Sequence, residues 1–171
     1  AAALAARLLG VRDDDVASVL REFKGLAHRM QYIRSVDGVQ YIDDSKATNV
    51  GAAAASIDGL AGSEGKIVLI AGGVDKGGSY QPLRQRMTDE GRAVVVLGEA
   101  ASLLERAFAG SHLELRRASS MNDAVTHAAA LAHPGDTVLL APACSSFDMF
   151  RSYAERGERF QRAVQTLGEQ S

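Results

Sequence analysis

The chain holds a single cysteine, Cys144, among its 171 residues. One thiol allows no internal disulfide and no cysteine zinc cluster, and a reducing cytosol is the simplest compartment for it. Aromatic residues make up only 5%, and nothing suggests platforms for base stacking. Lysine and arginine total 19 against 21 acidic residues, a net charge of −2. The basic groups are scattered, so no field gathers nucleic acid or anionic lipid. No apolar run approaches the roughly 20 residues of a membrane span. The opening "AAALAARLLG" reads as a helix cut from something longer, not as a signal peptide. There is no G-K-[ST] and no G-x-G-x-x-G, so neither a Walker loop nor a dinucleotide fingerprint is present.

What is present suits a globular domain. The chain is 46% apolar and 23% charged, enough for a normal core in one domain with a piece of another. Leu4, Leu8 and Leu9 have helical spacing. A second helix is expected from the "DDD" run, capped by Asp13 or Asp14, with Val16, Val19, Leu20 and Phe23 on one face and Gly25 as its stop. Residues 1–25 thus read as the helical tail of a preceding domain, and 26–171 as the main domain. Asp37-Gly38 predicts a hairpin turn. Asn49 predicts a helix cap, and the helix should run to Gly59. From "KIVLIAGG" onward, Val/Ile/Leu-rich strands alternate with amphipathic helices, including 80–90, 99–110 and a segment opened by Ser120 and Asp123 at capping-box spacing. The last helix is expected to open at Ser145-Ser146 and run through 170, with Gly157 dividing it. The fold class is therefore α/β: a Rossmann-like, mostly parallel open sheet with helices on both faces, preceded by a β-hairpin.

Ligands of such sheets bind beyond the carboxyl ends of the strands, where three loops fall: 43–49, 72–79 and 141–147. "YIDDSKATN" puts Lys46, Thr48 and the acceptor Asp44 before a helix N-terminus, which favours anions. Asp44 suits a ribose hydroxyl or the orienting of Lys46. A solvated, Asn-capped turn accounts for the same residues. In "AGGVDKGGSY", paired glycines allow a ligand close to the backbone and Lys76 suits a carboxylate or phosphate. A flexible turn is the alternative. In "PACSSFDMF", Ser146 offers a cap and an anion donor, while Cys144, with no histidine set beside it, reads as a small buried hydrophobe. Arg29 in "HRMQ" could meet a nucleotide or be a solvated charge. His112, His127 and His133 suggest no metal site.

The order of these pieces is more telling than any one of them. "HR" before a DG hairpin, "DDSKATN" before an alanine-rich helix, "GGVDKG", then "PACSSFDMF" followed by Tyr153, Arg156-Gly157 and Phe160 closely resembles the C-terminal domain of the Mur ligases, and within them the D-glutamate-adding type. The likeness covers essentially the whole chain, and "DSKATN" is its most specific part. Gln31 stands where that family usually has Glu, and Ala27 where Pro is common.

The resemblance implies an ATP-dependent, ADP-forming ligase of peptidoglycan synthesis in the bacterial cytoplasm. ATP would convert the alanyl carboxylate of UDP-N-acetylmuramoyl-L-alanine to an acyl phosphate, and D-glutamate's amine would displace phosphate. It implies that Lys46 is catalytic, and that Arg29, Asp44 and Lys46 contact the nucleotide. Thr48, Lys76, Ser146 and Tyr153 (in place of an expected Phe) would hold D-glutamate. The P-loop and the Mg2+ ligands would lie on a central domain outside these residues. The chain alone is thus expected to be inactive, and no metal ligand is expected in it. The partner would be the rest of the ligase, in a monomer, with no nucleic acid or membrane. Two rivals stand beside this reading: a stand-alone α/β nucleotide- or anion-binding module, and a related ligase using another amino acid.

Overall fold

The computed structural model describes residues 2–23 and 25–168. At the start, α1 (Ala2–Leu8) and α2 (Asp13–Glu22) pack on each other, and neither contains a buried residue. Leu8 and Leu9 are 80% and 84% exposed. The expected aspartate cap of α2 is corrected: Arg12 takes the N-cap position without a side-chain bond, and Asp13, Asp14 and Asp15 lie in the first turn. There their charge still complements the helix dipole. The helix also ends earlier than expected, with Phe23 as C-cap ahead of Gly25.

Strands β1 (Gln31–Val36) and β2 (Val39–Asp43) form the antiparallel hairpin. Asp37 and Gly38 both have positive φ, 50° and 79°, as a two-residue turn matching the strand twist requires. The rest follows as α3 (Val50–Asp58), β3 (Ile67–Gly72), α4 (Gln81–Glu90), β4 (Gly91–Leu97), α5 (Ala101–Phe108), β5 (Glu114–Arg117), α6 (Met121–Leu131), β6 (Thr137–Leu140) and α7 (Tyr153–Gln165). Asn49 Oδ1 accepts from Ala52 N–H at 2.9 Å, capping α3 as expected. Ser120 caps α6, but Asp123 reaches back to Ser119 N–H rather than to Ser120.

The sheet order is β1-β2-β6-β3-β4-β5, parallel except for β1. Strand alternation splits the core in two. Leu69, Ala71, Val94, Val96 and Leu139 face α3, α4 and α5, meeting Ile57, Leu83, Met87 and Leu104. Val68, Ile70, Val95, Val138 and Leu140 face α6 and α7, meeting Met121, Val125, Phe160 and Val164. Each such aliphatic side chain, when fully buried, contributes about 1.5–3 kcal/mol. At the opposite end of the sheet, Asp136 is 1% exposed and accepts from the N–H groups of Lys66 and His133 at 2.8 Å while paired with Arg92.

The last helix corrects the sequence expectation twice. Residues 146–149 make one turn, in which Met149 and Phe150 N–H groups donate to the Ser146 carbonyl, and α7 begins only at Tyr153. Ser152 is its N-cap, accepting from Glu155 N–H at 3.1 Å, and Glu155 accepts in return from Arg151 N–H at 2.9 Å. Gly157 does not divide the helix; it is buried within it. A Cβ there would overlap His28 Nδ1 and come within 2.7 Å of Asp43 Oδ2, so glycine serves close packing here. The final part of the expected helix, 169–170, lies outside the described residues.

Candidate functional site

Because β6 lies between β2 and β3, the loops leaving these three strands are neighbours. Ala143 N–H donates to Ala47 O at 2.9 Å, Gly72 N–H to Pro142 O at 2.9 Å, and Val74 and Ser145 exchange backbone bonds of 2.9 and 3.1 Å. Gly73 has φ 130°, and a Cβ on it would overlap the Ser145 carbonyl. Only glycine lets the second loop lie this close to the third.

Arg156, one turn into α7, locks the assembly. It is 1% exposed. Its guanidinium donates to Ser45 Oγ (3.0 Å), Ser45 O (2.9 Å) and Cys144 O (3.1 Å), with Gly72 O at 3.5 Å. Ser45 Oγ in turn donates to Tyr153 O at 2.7 Å. Among the described residues Arg156 has no salt-bridge partner. Burial pulls its pKa down to about 10, opposed by the fields of Cys144, Asp148 and Asp43, so it remains charged at neutral pH. A buried cation is costly unless its donors are satisfied; here carbonyl oxygens from all three loops face them.

The expected site residues fall into two groups on this platform. Arg29, Asp44 and Lys46 line one open cavity of about 340 Å³, with Met30, Ser56 and the small side chains of Ala47, Ala52 and Ala55. Asp44 is 8% exposed and accepts from the Ser56 hydroxyl; among the described residues it does not pair with Lys46. Lys46 is oriented instead by its N–H, which donates to His28 O at 3.1 Å, and by the Tyr153 ring, whose centroid lies 3.9 Å from Nζ. That is a cation–π contact. The second group is Thr48 and Lys76, with Nζ 3.5 Å from Oγ1. Ser146 is buried and follows Ser145, which is bonded to Val74; it opens a single turn, not the expected α-helix.

Sequence reasoning overlooked the groups beneath the site. His28, at φ 59°, donates from Nδ1 to Asp43 Oδ2 at 2.7 Å, and Gln161 Nε2 donates to the same oxygen at 2.8 Å. Asp43 is fully buried. Gln31 Oε1 accepts from His28 N–H at 3.0 Å, a bond a glutamate oxygen would also make, so that departure preserves the turn. The "HR", first "D" and "RG" of the motifs carried the signal, but their roles needed the third dimension. Cys144 is buried, as expected, and burial pushes its thiol pKa up. Among the described residues, no group of three or more His, Cys, Asp or Glu could hold a metal ion.

A doubly covered, mostly parallel sheet with two lysine-bearing loops at its carboxyl edge, one of them glycine-rich, has the arrangement of a ligand-binding α/β domain suited to anionic ligands. A family model described as "Mur ligase, glutamate ligase domain" matches residues 28–144, and the chain belongs to this family. It is 47% identical over 167 residues to UDP-N-acetylmuramoylalanine--D-glutamate ligase of Salinibacter ruber, covering 98% of this chain and 36% of the relative. It is 49% identical over 160 residues to the enzyme of the same name from Pseudomonas fluorescens strain Pf0-1, covering 93% and 36%. The chain thus spans about a third of the length of these relatives. The MurF ligase of Thermotoga maritima, solved in complex with ADP, shares the fold at TM-score 0.60 and 22% identity, covering 95% of this chain and 36% of that one.

Proposed function

We propose that the chain is the amino-acid-binding and nucleotide-contacting domain of a bacterial, cytoplasmic ligase that joins D-glutamate to UDP-N-acetylmuramoyl-L-alanine with ATP. In this reading residues 1–25 are the last helices of a central domain and 26–171 the C-terminal domain, working in a monomer. The exposed leucines of α1 and α2 support that division, since a free-standing module has no use for them. The observation that carries the reading is the placing of Lys46 and Lys76 on two loops held as one unit by the backbone bonds of the third. The relatives' shared name supplies the substrates.

ATP supplies the phosphoryl group that turns a carboxylate into a reactive acyl phosphate. The chain's own residues bind and orient. Arg29 and Asp44 take the adenine and ribose side of the 340 Å³ cavity. Lys46, a compact ammonium held over Tyr153, neutralises charge that grows on the transferred phosphoryl oxygens. Thr48, Lys76 and Ser146 receive D-glutamate's carboxylates, and the exposed part of Tyr153 covers its aliphatic stem.

The test compares two variants of the full-length enzyme. A charge-assisted bond contributes roughly 1.5–3 kcal/mol, so Lys76→Ala should raise the D-glutamate KM about 10- to 150-fold and hardly move that for ATP. Lys46→Ala should lower kcat by about 10²–10³ with modest KM changes. Equal losses for both substrates in Lys76→Ala, or single-turnover rates near wild type in Lys46→Ala, would refute these roles. A preference for another amino acid would move the chain to a different ligase.

A further inference from the structure

Tyr80 stands at the N-terminus of α4 and is 7% exposed. Its hydroxyl lies 2.6 Å from Asp75 Oδ1 and 3.2 Å from Cys144 Sγ. An ionised carboxylate only accepts, so the phenol proton goes to Asp75 and the thiol must donate to the phenol oxygen. Burial, then the bond to Asp75, pushes the Tyr80 pKa upward, which keeps the phenol a donor. The other Asp75 oxygen accepts from Gly77 N–H at 3.1 Å. Lys76 therefore sits between Asp75, which carries this carboxylate, and Gly77, which is bonded to it, and the same carboxylate is tied to a buried tyrosine. Residues 76–79 are otherwise exposed, and Gly77 and Gly78 have φ 78° and 115°, a stretch with large conformational freedom to lose.

We propose that Tyr80 is a positioning residue for D-glutamate recognition, its hydroxyl holding Asp75 so that the loop presents Lys76 toward Thr48 and the 141–147 loop. The inference rests on the proposed role of Lys76. Tyr80 itself touches no reacting atom. It acts by removing, before binding, the loop freedom that ordering around an amino acid would otherwise cost.

The experiment is a double-mutant cycle in the full-length enzyme, with KM for D-glutamate and for ATP measured separately. Tyr80→Phe removes one hydroxyl, and should raise the D-glutamate KM about 3- to 10-fold, less than the full value of a bond to a charged acceptor because the Gly77 bond to Asp75 still restrains the loop. The ATP KM should stay within about twofold. In a Lys76→Ala background the same substitution should change the D-glutamate KM by less than about twofold, because non-additivity marks residues acting through one another. Asp75→Ala, at a partly exposed loop position, removes both bonds and should raise the D-glutamate KM at least as much as Tyr80→Phe, with little further change when the two are combined; it guards against loss of the buried tyrosine's packing. Full additivity with Lys76→Ala, an equal rise in both KM values, or an unchanged D-glutamate KM would each overturn the proposal. If Lys76→Ala itself left the D-glutamate KM unchanged, the site reading would fall and this inference with it. A large Lys76→Ala effect beside a silent Tyr80→Phe would remove Tyr80 alone.

Discussion

Replacing Gly157 by alanine sets two physical rules against each other. Gly157 is the fifth residue of α7, and alanine in a helix interior is favoured over glycine by about 1 kcal/mol. Local propensity therefore predicts a more stable protein. Packing predicts the reverse. The new methyl would overlap His28 Nδ1 and stand 2.7 Å from Asp43 Oδ2. Asp43 is fully buried, and the His28 ring is set edge-on to Tyr153 at 6.2 Å between centroids, so neither group has space to yield. Breaking the His28–Asp43 bond costs roughly 1.5–3 kcal/mol, as its acceptor is charged. Overpacking adds about 1–3 kcal/mol. After the propensity gain, Gly157→Ala should lose about 1.5–5 kcal/mol. For a domain of this size that lowers Tm by roughly 3–20 °C. Urea unfolding followed by circular dichroism gives the stability change. A variant as stable as the parent, or more so, would show that His28 and Asp43 move aside freely and would refute the close-packing role of this glycine.

Arg156→Lys should destabilise the domain by about 3–5 kcal/mol, since an ammonium cannot reach carbonyls of separate loops at once and forfeits about two charge-assisted bonds; a loss under about 1 kcal/mol in the same unfolding assay would argue against the keystone role. Asp136 gives a pH signature. Burial pushes its carboxyl up, but Arg92 and the His133 and Lys66 N–H groups more than offset this, and its pKa lies below the ordinary value. Its contribution is therefore complete above the unfolded value of about 3.9 and is lost as pH falls through the lower folded value. Stability measured between about pH 5 and 2 should fall more steeply in the parent than in Asp136→Asn, and parallel curves would contradict the assignment.

The sequence by itself determined the kind and order of the elements from the hairpin onward. The reasons are local. A DG pair adopts the positive φ values of a tight turn, Asn49 satisfies free N–H groups of the helix that follows it, and short β-branched runs between glycines, such as 67–71, suit strands buried on both faces. It also determined the family, through short motifs whose residues carry chemistry in a set order. The tertiary structure decided where β6 goes. Parallel pairing leaves no mark naming a strand's neighbours, yet the insertion of β6 between β2 and β3 is what brings 43–49, 72–79 and 141–147 together. It also moved the start of α7 from the expected Ser146 to Ser152. Both are sound caps by local chemistry, but starting at Tyr153 leaves the 146–152 segment free to turn at the sheet edge and carries Arg156 under the three loops, with Phe160 in the core. Arg156 and Gly157 meet Ser45, His28 and Asp43 across more than 100 residues of chain, and His28 pairs with Asp43, 15 residues on. Their roles come from desolvation and close contact, which exist only once the chain has closed around them.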